Sequence, residues 1–276
     1  MALKSMRLVA SLSILASGFA FGGVRCLTTS ATRRYVPAGL CAVYKPKGCT
    51  SADVVARVKR ILNQGGKKIK VGHGGTLDPM AEGVLVLGIG DGTKQLTKYL
   101  SGSKGYTAVG LLGTAFDTLD ITGTETSTAS YDHVTTKMLN DALPNFRGDI
   151  QQLPPMFSAL KSKGKRLYDL AREGIEVERE LRNVSVYNLE LLPHRKLPEF
   201  ELQIECSGGF YVRSLIADVS TAVNTVGCMS ELIRTKQAMF HISDCLHQED
   251  WTSEKLCQHI IRSNTLVENS IVDAHL

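Results

Sequence analysis

The stretch GHGGTLDPMAEG, residues 72–83, places glycines before an Asp-Pro pair and runs into an apolar segment. That segment, residues 84–89, predicts a strand buried on both faces of a sheet. Backbone rich in glycine can approach a ligand closely, which is typical of a binding or catalytic loop. A purely structural interpretation also fits: Asp78 caps a helix, Pro79 occupies its first turn and the glycines form turns. The order of a phosphate-binding P-loop, G-x-x-x-x-G-K-[ST], is missing.

Segments with regular apolar spacing lie on both sides of this loop. Upstream, residues 40–44 predict a short strand, and Ser51 is placed to cap an amphipathic helix that ends before Gly65. Downstream, the pattern predicts a strand at 106–112, a surface connection at 122–131, helices at 132–143 and 165–173, and a strand, turn, strand and helix within 199–219. These elements predict an α+β domain around a mixed or antiparallel sheet flanked by helices.

The composition predicts a folded protein with a sizeable core but identifies no ligand. Of the 276 residues, 43% are hydrophobic and 21% are charged, which is enough for one large domain or two small ones. The seven cysteines are odd in number and scattered, without a C-x-x-C pair. This usage argues against a disulfide framework or a zinc module and fits a reducing compartment.

The net charge of +5 does not by itself indicate nucleic-acid binding, because it comes from the N-terminal segment. Residues 1–36 carry five basic residues and no acidic one, and the rest of the chain carries 27 of each sign. Within that rest, residues 37–243 are mildly basic and residues 244–276 are acidic. Any binding to nucleic acid would therefore depend on local clusters of positive charge.

The composition of residues 1–36, rich in Arg, Ser, Thr, Leu and Ala, is typical of a transit peptide and predicts a mitochondrial protein. An alternative is that the apolar run at residues 8–21 belongs to a secretory signal, which the scattered cysteines disfavour. A disordered leader on a nuclear or cytoplasmic protein is the remaining alternative. The run is shorter than the ~20 residues that span a bilayer, so we expect no membrane association.

The pattern G-H-x-G-x-L-D-P-x-A-x-G, met at every fixed position by residues 72–83, resembles the catalytic motif of the TruB family of pseudouridine synthases. Other family motifs are similar to stretches that follow in the same order: YKPKGCTS (44–51), KGY (104–106), DTLDITG (117–123), FRG (146–148), PPMFSALK (154–161), GKRLY (164–168) and CSGGFYVRSL (206–215). Phe210 departs from a usual Thr, and Ala238 departs from a usual Gly in the final motif, LIRTKQAMF (232–240). The resemblance covers about residues 40–240.

The resemblance implies a pseudouridine synthase fold with an RNA-binding cleft and a thumb-like insertion. It divides the chain into a leader (1–36), a catalytic domain (37–243) and a short acidic tail (244–276). Bacterial members carry a PUA RNA-binding domain after the catalytic domain. Only the acidic tail follows it here, so we expect the catalytic domain to grip the substrate.

The resemblance also implies a function for individual residues. Asp78 is the essential carboxylate, acting as nucleophile or base, and Arg213 is its ion-pair partner. Tyr106 stacks on the target base, Tyr211 and Leu232 line the pocket, and His73 contacts the flipped-out RNA. Arg213 and Tyr211, two residues apart on a predicted strand, are expected to share a face. The alternatives are a surface salt bridge for Arg213 and ordinary core packing for Tyr106, Tyr211 and Leu232.

The implied reaction converts uridine to pseudouridine, with uridine 55 in the T arm of tRNA as the expected substrate and similar hairpins in mRNA as further ones. It requires no cofactor and no metal, and we expect a monomer. Phosphate contacts are expected from two basic clusters, whose alternative is a solvated face: Lys67, Lys68 and Lys70, then Lys161, Lys163, Lys165 and Arg166.

Two other classes of function are open. A catalytically silent RNA-binding or RNA-folding protein can keep the same scaffold, but such a protein has no need of a carboxylate beside polyanionic RNA. A phosphotransferase with a glycine-rich loop would need a Lys-Ser/Thr pair after the glycines and carboxylates that bind a metal, and the sequence lacks both.

Overall fold

The apolar segment after the glycine-rich stretch forms β3 (Glu82–Ile89), in which every residue from Gly83 onward is buried. The structure, a computed structural model, describes residues 35–66, 68–162 and 164–273. Alternate side chains of β3 belong to different hydrophobic clusters, one containing Leu85 and Leu87 and the other containing Val84 and Val86. The strand is therefore buried on both faces, as its sequence predicts.

The other strands, in chain order, are β1 (Gly39–Lys45), β2 (Val71–His73), β4 (Lys104–Leu112), β5 (Thr114–Phe116), β6 (Glu125–Thr128), β7 (Gly148–Gln152), β8 (Lys161–Ser162), β9 (Lys165–Arg166), β10 (Arg182–Leu192), β11 (Glu199–Cys206), β12 (Gly227–Gln237) and β13 (Phe240–His241). The helices are α1 (Ser51–Leu62), α2 (Leu96–Ser101), α3 (Thr136–Ala142), α4 (Leu167–Arg172), α5 (Val212–Ala222) and α6 (Ser253–Asp273). The predicted strands at 40–44 and 106–112 correspond to β1 and β4.

Most strands of the described residues join one sheet in the order β1-β3-β12-β4-β11-β10-β7, with β2 added to β3 and β13 added to β12. The β3–β12 pair is parallel, whereas β1–β3, β4–β12 and β4–β11 are antiparallel. Two hairpins, β5–β6 and β8–β9, stand apart from this sheet. The predicted α+β class with a central mixed sheet flanked by helices is confirmed.

Helix α1 is capped by Thr50, so the prediction that Ser51 caps it is wrong. The hydroxyl of Thr50 accepts from the backbone N–H of Asp53 at 3.1 Å, and the carboxylate of Asp53 accepts from the backbone N–H of Thr50 at 2.9 Å. This reciprocal pair satisfies two N–H groups at the helix start. Ser51 is buried and bonds in both directions to the backbone of Leu77, at 2.9 and 3.2 Å, which ties α1 to the glycine-rich loop.

The chain after β11 also differs from the prediction, because no second strand follows the turn at 207–209. Helix α5 begins directly at Val212, with Tyr211 as its N-cap, so Arg213 lies in the first helical turn. The prediction that Tyr211 and Arg213 share a face of a strand is therefore wrong. Aromatic and β-branched residues at 210–212 favour a strand locally. Tertiary contacts override that preference: Phe210 and Val212 are buried in the core, and Gln152 bonds to the backbone of Tyr211.

The C-terminal segment, predicted as an acidic tail from residue 244, contains α6, which packs on β1. Trp251, Leu256 and Ile260 are buried in the same cluster as Cys41 and Val43 of β1. The indole N–H of Trp251 donates to the carbonyl of Leu246 at 3.0 Å. Glu254 and Glu268, two acidic residues of this helix, are exposed on its outer side. Over the described residues, none of the helices is long and apolar enough to cross a membrane.

Candidate active site

Asp78 and Arg213 form a two-pronged ion pair between the glycine-rich loop and the start of α5. The Nε of Arg213 lies 3.0 Å from Oδ2 of Asp78, and its Nη2 donates to Oδ1 at 3.3 Å. The side chain of Arg213 is 6% exposed and that of Asp78 is 32% exposed. A forked arginine contact of this kind fixes the orientation of a carboxylate as well as its charge. One edge of Asp78 therefore remains open to a ligand.

Arg213 is itself held by three groups from other parts of the chain. Its Nη1 donates to the carbonyl of Thr118 at 2.6 Å, and its Nη2 donates to the carbonyl of Phe157 at 2.7 Å. A second carboxylate, that of Asp120, lies 3.7 Å from Nη1 and is buried. Sequence reasoning quoted Asp120 in a motif but gave it no role. The hydroxyl of Thr122 donates to Asp120 at 2.5 Å and fixes its position.

Opposing influences act on the pKa of Asp78. Burial raises this pKa above its usual value, and the nearby carboxylate of Asp120 raises it further. The guanidinium of Arg213 and the ammonium of Lys45 oppose the shift. Asp78 is thus a more basic carboxylate than an exposed one, and Arg213 is the strongest influence against this rise of its pKa.

No helix follows Asp78, so the interpretation of this residue as a helix cap is wrong. Residues 79–80 form a turn, and β3 begins two residues later. The turn is held by Lys45, which is fully buried and donates to the carbonyls of Pro46, Pro79 and Ala81 at 3.0, 3.4 and 2.5 Å. Burial lowers the pKa of Lys45. The three carbonyls occupy all three N–H donors of its ammonium group.

The loop before Asp78 is held from β12 by two buried polar side chains. Arg234 donates to the carbonyls of Gly75 and Thr76 at 3.1 and 3.3 Å. Gln237 donates to the carbonyl of Gly74 at 2.6 Å. Neither residue was singled out from the sequence, although Arg234 is the basic residue within the LIRTKQAMF motif. These bonds, rather than a capped helix, explain how the loop holds Asp78 in place.

A cleft of about 400 Å³ opens over the ion pair of Asp78 and Arg213. It brings together the predicted site residues Asp78, Tyr106, Tyr211, Arg213 and Leu232, and their individual roles stay predictions. Tyr106 and Leu232 are buried, and burial raises the pKa of Tyr106 to about 12, so its phenol is neutral at physiological pH. An aromatic ring, an aliphatic side chain and an ion pair around one cleft suit a flat, uncharged ring such as a nucleobase.

His73 lies on β2 and is not among the residues that line this cleft in the described part of the chain. Its Nδ1 accepts from the backbone N–H of Gly75 at 3.4 Å. Burial lowers the pKa of His73, and the charges of Arg234 and Arg166 lower it further. A neutral imidazole at the edge of the loop can stack on a base without carrying charge. Its predicted contact with RNA stays a prediction.

The predicted phosphate contacts lie on exposed surface wherever the structure describes them. Lys68 and Lys70 are exposed in the loop before β2, and Lys161, Lys165 and Arg166 are exposed on the β8–β9 hairpin. Lys165 lies 3.5 Å from Glu173, and Arg166 lies over the ring of Tyr168. Lys67 and Lys163 lie outside the described residues. Among the described residues, no group of three or more His, Cys, Asp or Glu side chains is arranged to hold a metal ion.

Gly83 offers a stability test of the tight contact between the start of β3 and β12. Its φ is +109°, and a Cβ there would lie 2.3 Å from the backbone oxygen of Arg234. We expect Gly83→Ala to lower the free energy of unfolding by about 3 kcal/mol or more, because strain and overlap add. Gly48→Ala is the matched control, since Gly48 also has a positive φ, +86°, but nothing within 4 Å. It should lose only about 1 kcal/mol. Equal losses in urea unfolding would show that the contact has no energetic weight.

Comparison with known proteins identifies the family. Residues 59–212 match the TruB family pseudouridylate synthase N-terminal domain. Pseudouridylate synthase TRUB1 of Homo sapiens is 43% identical over 250 residues, which cover 86% of this chain and 71% of that protein. The tRNA pseudouridine synthase B of Clostridium tetani is 41% identical over 223 residues, covering 81% of this chain and 75% of that protein.

Solved structures share the architecture. One chain of a Cbf5-Nop10-Gar1 complex superposes with a TM-score of 0.59 at 30% identity, covering 77% of this chain. One chain of an H/ACA RNP bound to a substrate RNA containing 2′-deoxyuridine superposes with a TM-score of 0.56 at 27% identity, also covering 77%. This chain spans about half the length of those two chains, 53% and 51%. With the motifs, the fold and the ion pair at Asp78 in agreement, the chain belongs to the TruB family of pseudouridine synthases.

Proposed function

We propose that this protein converts the T-arm uridine 55 of tRNA to pseudouridine, with Asp78 as the carboxylate that acts on the nucleotide. The observation that carries the proposal is the ion pair of Asp78 with Arg213 inside a cleft that Tyr106 and Leu232 also line. The names of two relatives, a pseudouridylate synthase and a tRNA pseudouridine synthase, support the substrate class.

The reaction needs a carboxylate and a place for a uracil ring to turn. The C1′–N1 bond breaks, and its electron pair stays on the ring. The ring then bonds to C1′ through C5, loses the proton from C5, and gains a proton at N1. Asp78 either attacks the nucleotide or removes a ribose proton, and each route requires its ionised form. The net change is an isomerisation, with no redox step and no group taken from a cosubstrate.

A uridine within a folded loop must leave its stack before it can enter the cleft. Turning a base out costs a few kcal/mol, which contacts with the RNA must offset. Tyr106 supplies a stacking surface inside the cleft, and His73, at the edge of the loop, is the candidate to occupy the vacated space. Contacts of the Lys161, Lys165 and Arg166 side chains with RNA phosphates would supply affinity that does not depend on base sequence.

Incubating the protein with a T-arm hairpin tests the proposed function directly. We expect pseudouridine at position 55, detected by digestion and nucleoside chromatography, with EDTA present and no nucleotide added. A hairpin with cytidine at that position is the control and should stay unchanged. Failure to modify both the hairpin and a full tRNA, when the protein binds them, would favour a catalytically silent RNA-binding protein.

Salt dependence tests the basic hairpin β8–β9. The triple variant Lys161→Ala, Lys165→Ala, Arg166→Ala should weaken RNA binding and reduce the slope of log affinity against log salt by about 2 to 3, if each side chain contacts one phosphate. Removing Lys137 and Lys196, which are exposed elsewhere, is the matched control and should leave the slope unchanged. A solvated face would give the same slope in the triple variant as in the wild type.

Modification of T-arm-like mRNA hairpins and import into mitochondria are further parts of the proposal. The first is supported by the general rule that proteins recognise structured RNA by its shape and by unstacked loop bases, which T-arm-like hairpins share. Mapping pseudouridine in cellular RNA with and without the protein tests it. The second is supported by the composition of residues 1–36. A reporter fused to residues 1–40 should enter mitochondria, and a reporter that stays in the cytosol would refute import.

A further inference from the structure

A buried lysine lines the same cleft, and neither the ion pair nor the loop contacts use it. Lys104 begins β4, is 5% exposed and lies among the residues that line the cleft. Tyr106 lies two positions further along the strand, so both side chains project from the same face of the sheet. A methyl group built on Gly75 would lie 3.7 Å from the Cε of Lys104, which places the lysine against the catalytic loop.

The charge of Lys104 is not neutralised. Its Nζ donates to the carbonyls of Leu100 and Gly102 at 2.9 and 2.7 Å, which leaves one of its N–H donors unassigned. Over the described residues, no carboxylate lies within ion-pair distance of it. Burial and the neighbouring guanidinium of Arg234 lower the pKa of Lys104 to about 8, so the side chain is still mostly a cation at neutral pH.

A buried cation without a counter-ion destabilises the folded protein. Closing the C-terminus of α2 needs only hydrogen-bond donors, which an uncharged side chain can also supply. The charge is therefore unexplained by the folded state alone. It is explained if a negative charge enters the cleft during the reaction, because a fixed cation is worth most where charge develops away from water.

We propose that Lys104 lies against the target uracil and stabilises the negative charge that the ring carries while it is detached from C1′. The inference rests on the proposed isomerase function. When the C1′–N1 bond breaks, its electron pair spreads over N1 and the two carbonyl oxygens of the uracil. An electron pair of the ring then forms the new bond from C5 to C1′. Addition of Asp78 to the ring would also leave negative charge on a ring oxygen. The role of Lys104 is thus independent of the route that Asp78 takes.

Two substitutions separate the charge of Lys104 from its hydrogen bonds. Lys104→Gln keeps N–H donors for the carbonyls of Leu100 and Gly102 but removes the charge, whereas Lys104→Arg keeps both. The measurement is the single-turnover rate on a T-arm hairpin. We expect Lys104→Gln to be slower by about 100-fold and Lys104→Arg by no more than about tenfold. RNA affinity should stay within about twofold, because the buried lysine contributes little to phosphate binding.

A second RNA carries the readout that a purely structural role would not move. Fluorine at C5 withdraws electrons, so a detached 5-fluorouracil ring needs less stabilisation than uracil. With 5-fluorouridine at the target position, consumption of that nucleoside by Lys104→Gln should be slower than wild type by less than about tenfold. Lys98→Met, which removes an exposed charge from α2, is the matched control and should match the wild type on both RNAs.

Equal slowing of Lys104→Gln on the two RNAs, or equal slowing of the Gln and Arg variants, would overturn the proposal and leave Lys104 as a helix-closing residue. If Lys104→Gln does not fold, Lys104→Arg replaces it in the test. Its slowing relative to wild type on uridine must then be smaller on 5-fluorouridine. An equal slowing on the two RNAs would likewise overturn the proposal. Wild type that makes no pseudouridine overturns the proposed function itself. The wild-type rate thus tests the proposed function, and the rates of the variants relative to wild type test the role of Lys104.

Discussion

Asp78→Asn should abolish pseudouridine formation, with a loss of at least ~10⁴-fold in the single-turnover rate. Asparagine keeps the shape of the side chain and can still bond to Arg213, but it is neither a nucleophile nor a base. The loop would stay in place, because Lys45, Arg234 and Gln237 hold it through its carbonyls and not through Asp78. RNA affinity should therefore remain within about twofold of the wild type, since phosphate contacts dominate it.

The control for Asp78→Asn is Asp141→Asn, which removes an exposed carboxylate paired with Lys137 on α3. That variant should keep full activity. Substantial pseudouridine made by Asp78→Asn would remove the basis of the proposed mechanism. Loss of RNA binding together with loss of product would point instead to a collapsed loop, and the melting temperature of the variant would reveal it.

The sequence could predict the parts of this protein that depend on local patterns. The buried run of β3 follows from six consecutive apolar or glycine residues, and the motif around Asp78 is read directly from residue order. Family resemblance also named Tyr106, Tyr211, Arg213 and Leu232, and the fold brings these four to the same cleft as Asp78. Residue types at fixed spacing carried that information.

The contacts that hold the site could not be predicted, because they join positions far apart in the chain. Lys45 and Arg234 are basic residues that sequence reasoning would place on the surface, yet both are almost fully buried with backbone carbonyls as partners. The start of α5 was predicted as strand because residues 210–212 favour one locally. Its helical form depends on tertiary contacts, among them the paired bonds of Gln152 with the backbone of Tyr211.

Arg213→Gln should lower the rate at neutral pH by about 100-fold or more and make it recover as the pH rises. In the wild type, Arg213 opposes the upward shift that burial and Asp120 impose on the pKa of Asp78. Removing the guanidinium leaves Asp78 with only the weaker influence of Lys45 against that shift. The carboxylate is then protonated over a wider range, so the acidic limb of the pH–rate profile moves to higher pH. The measurement is the single-turnover rate between pH 5 and 9.

Stability should respond to pH in the opposite direction in this variant. A carboxyl whose folded pKa lies above its unfolded value binds more protons in the folded state, so stability falls as the pH rises through that interval. Arg213→Gln widens this pKa interval. The free energy of unfolding of the variant should lie about 2 kcal/mol below that of the wild type at neutral pH. The loss is smaller than for a fully buried ion pair because Asp78 is partly exposed. Arg213→Lys keeps the charge without the fork and should move the acidic limb less. An acidic limb unchanged in both variants would mean that Arg213 positions Asp78 without setting its ionisation.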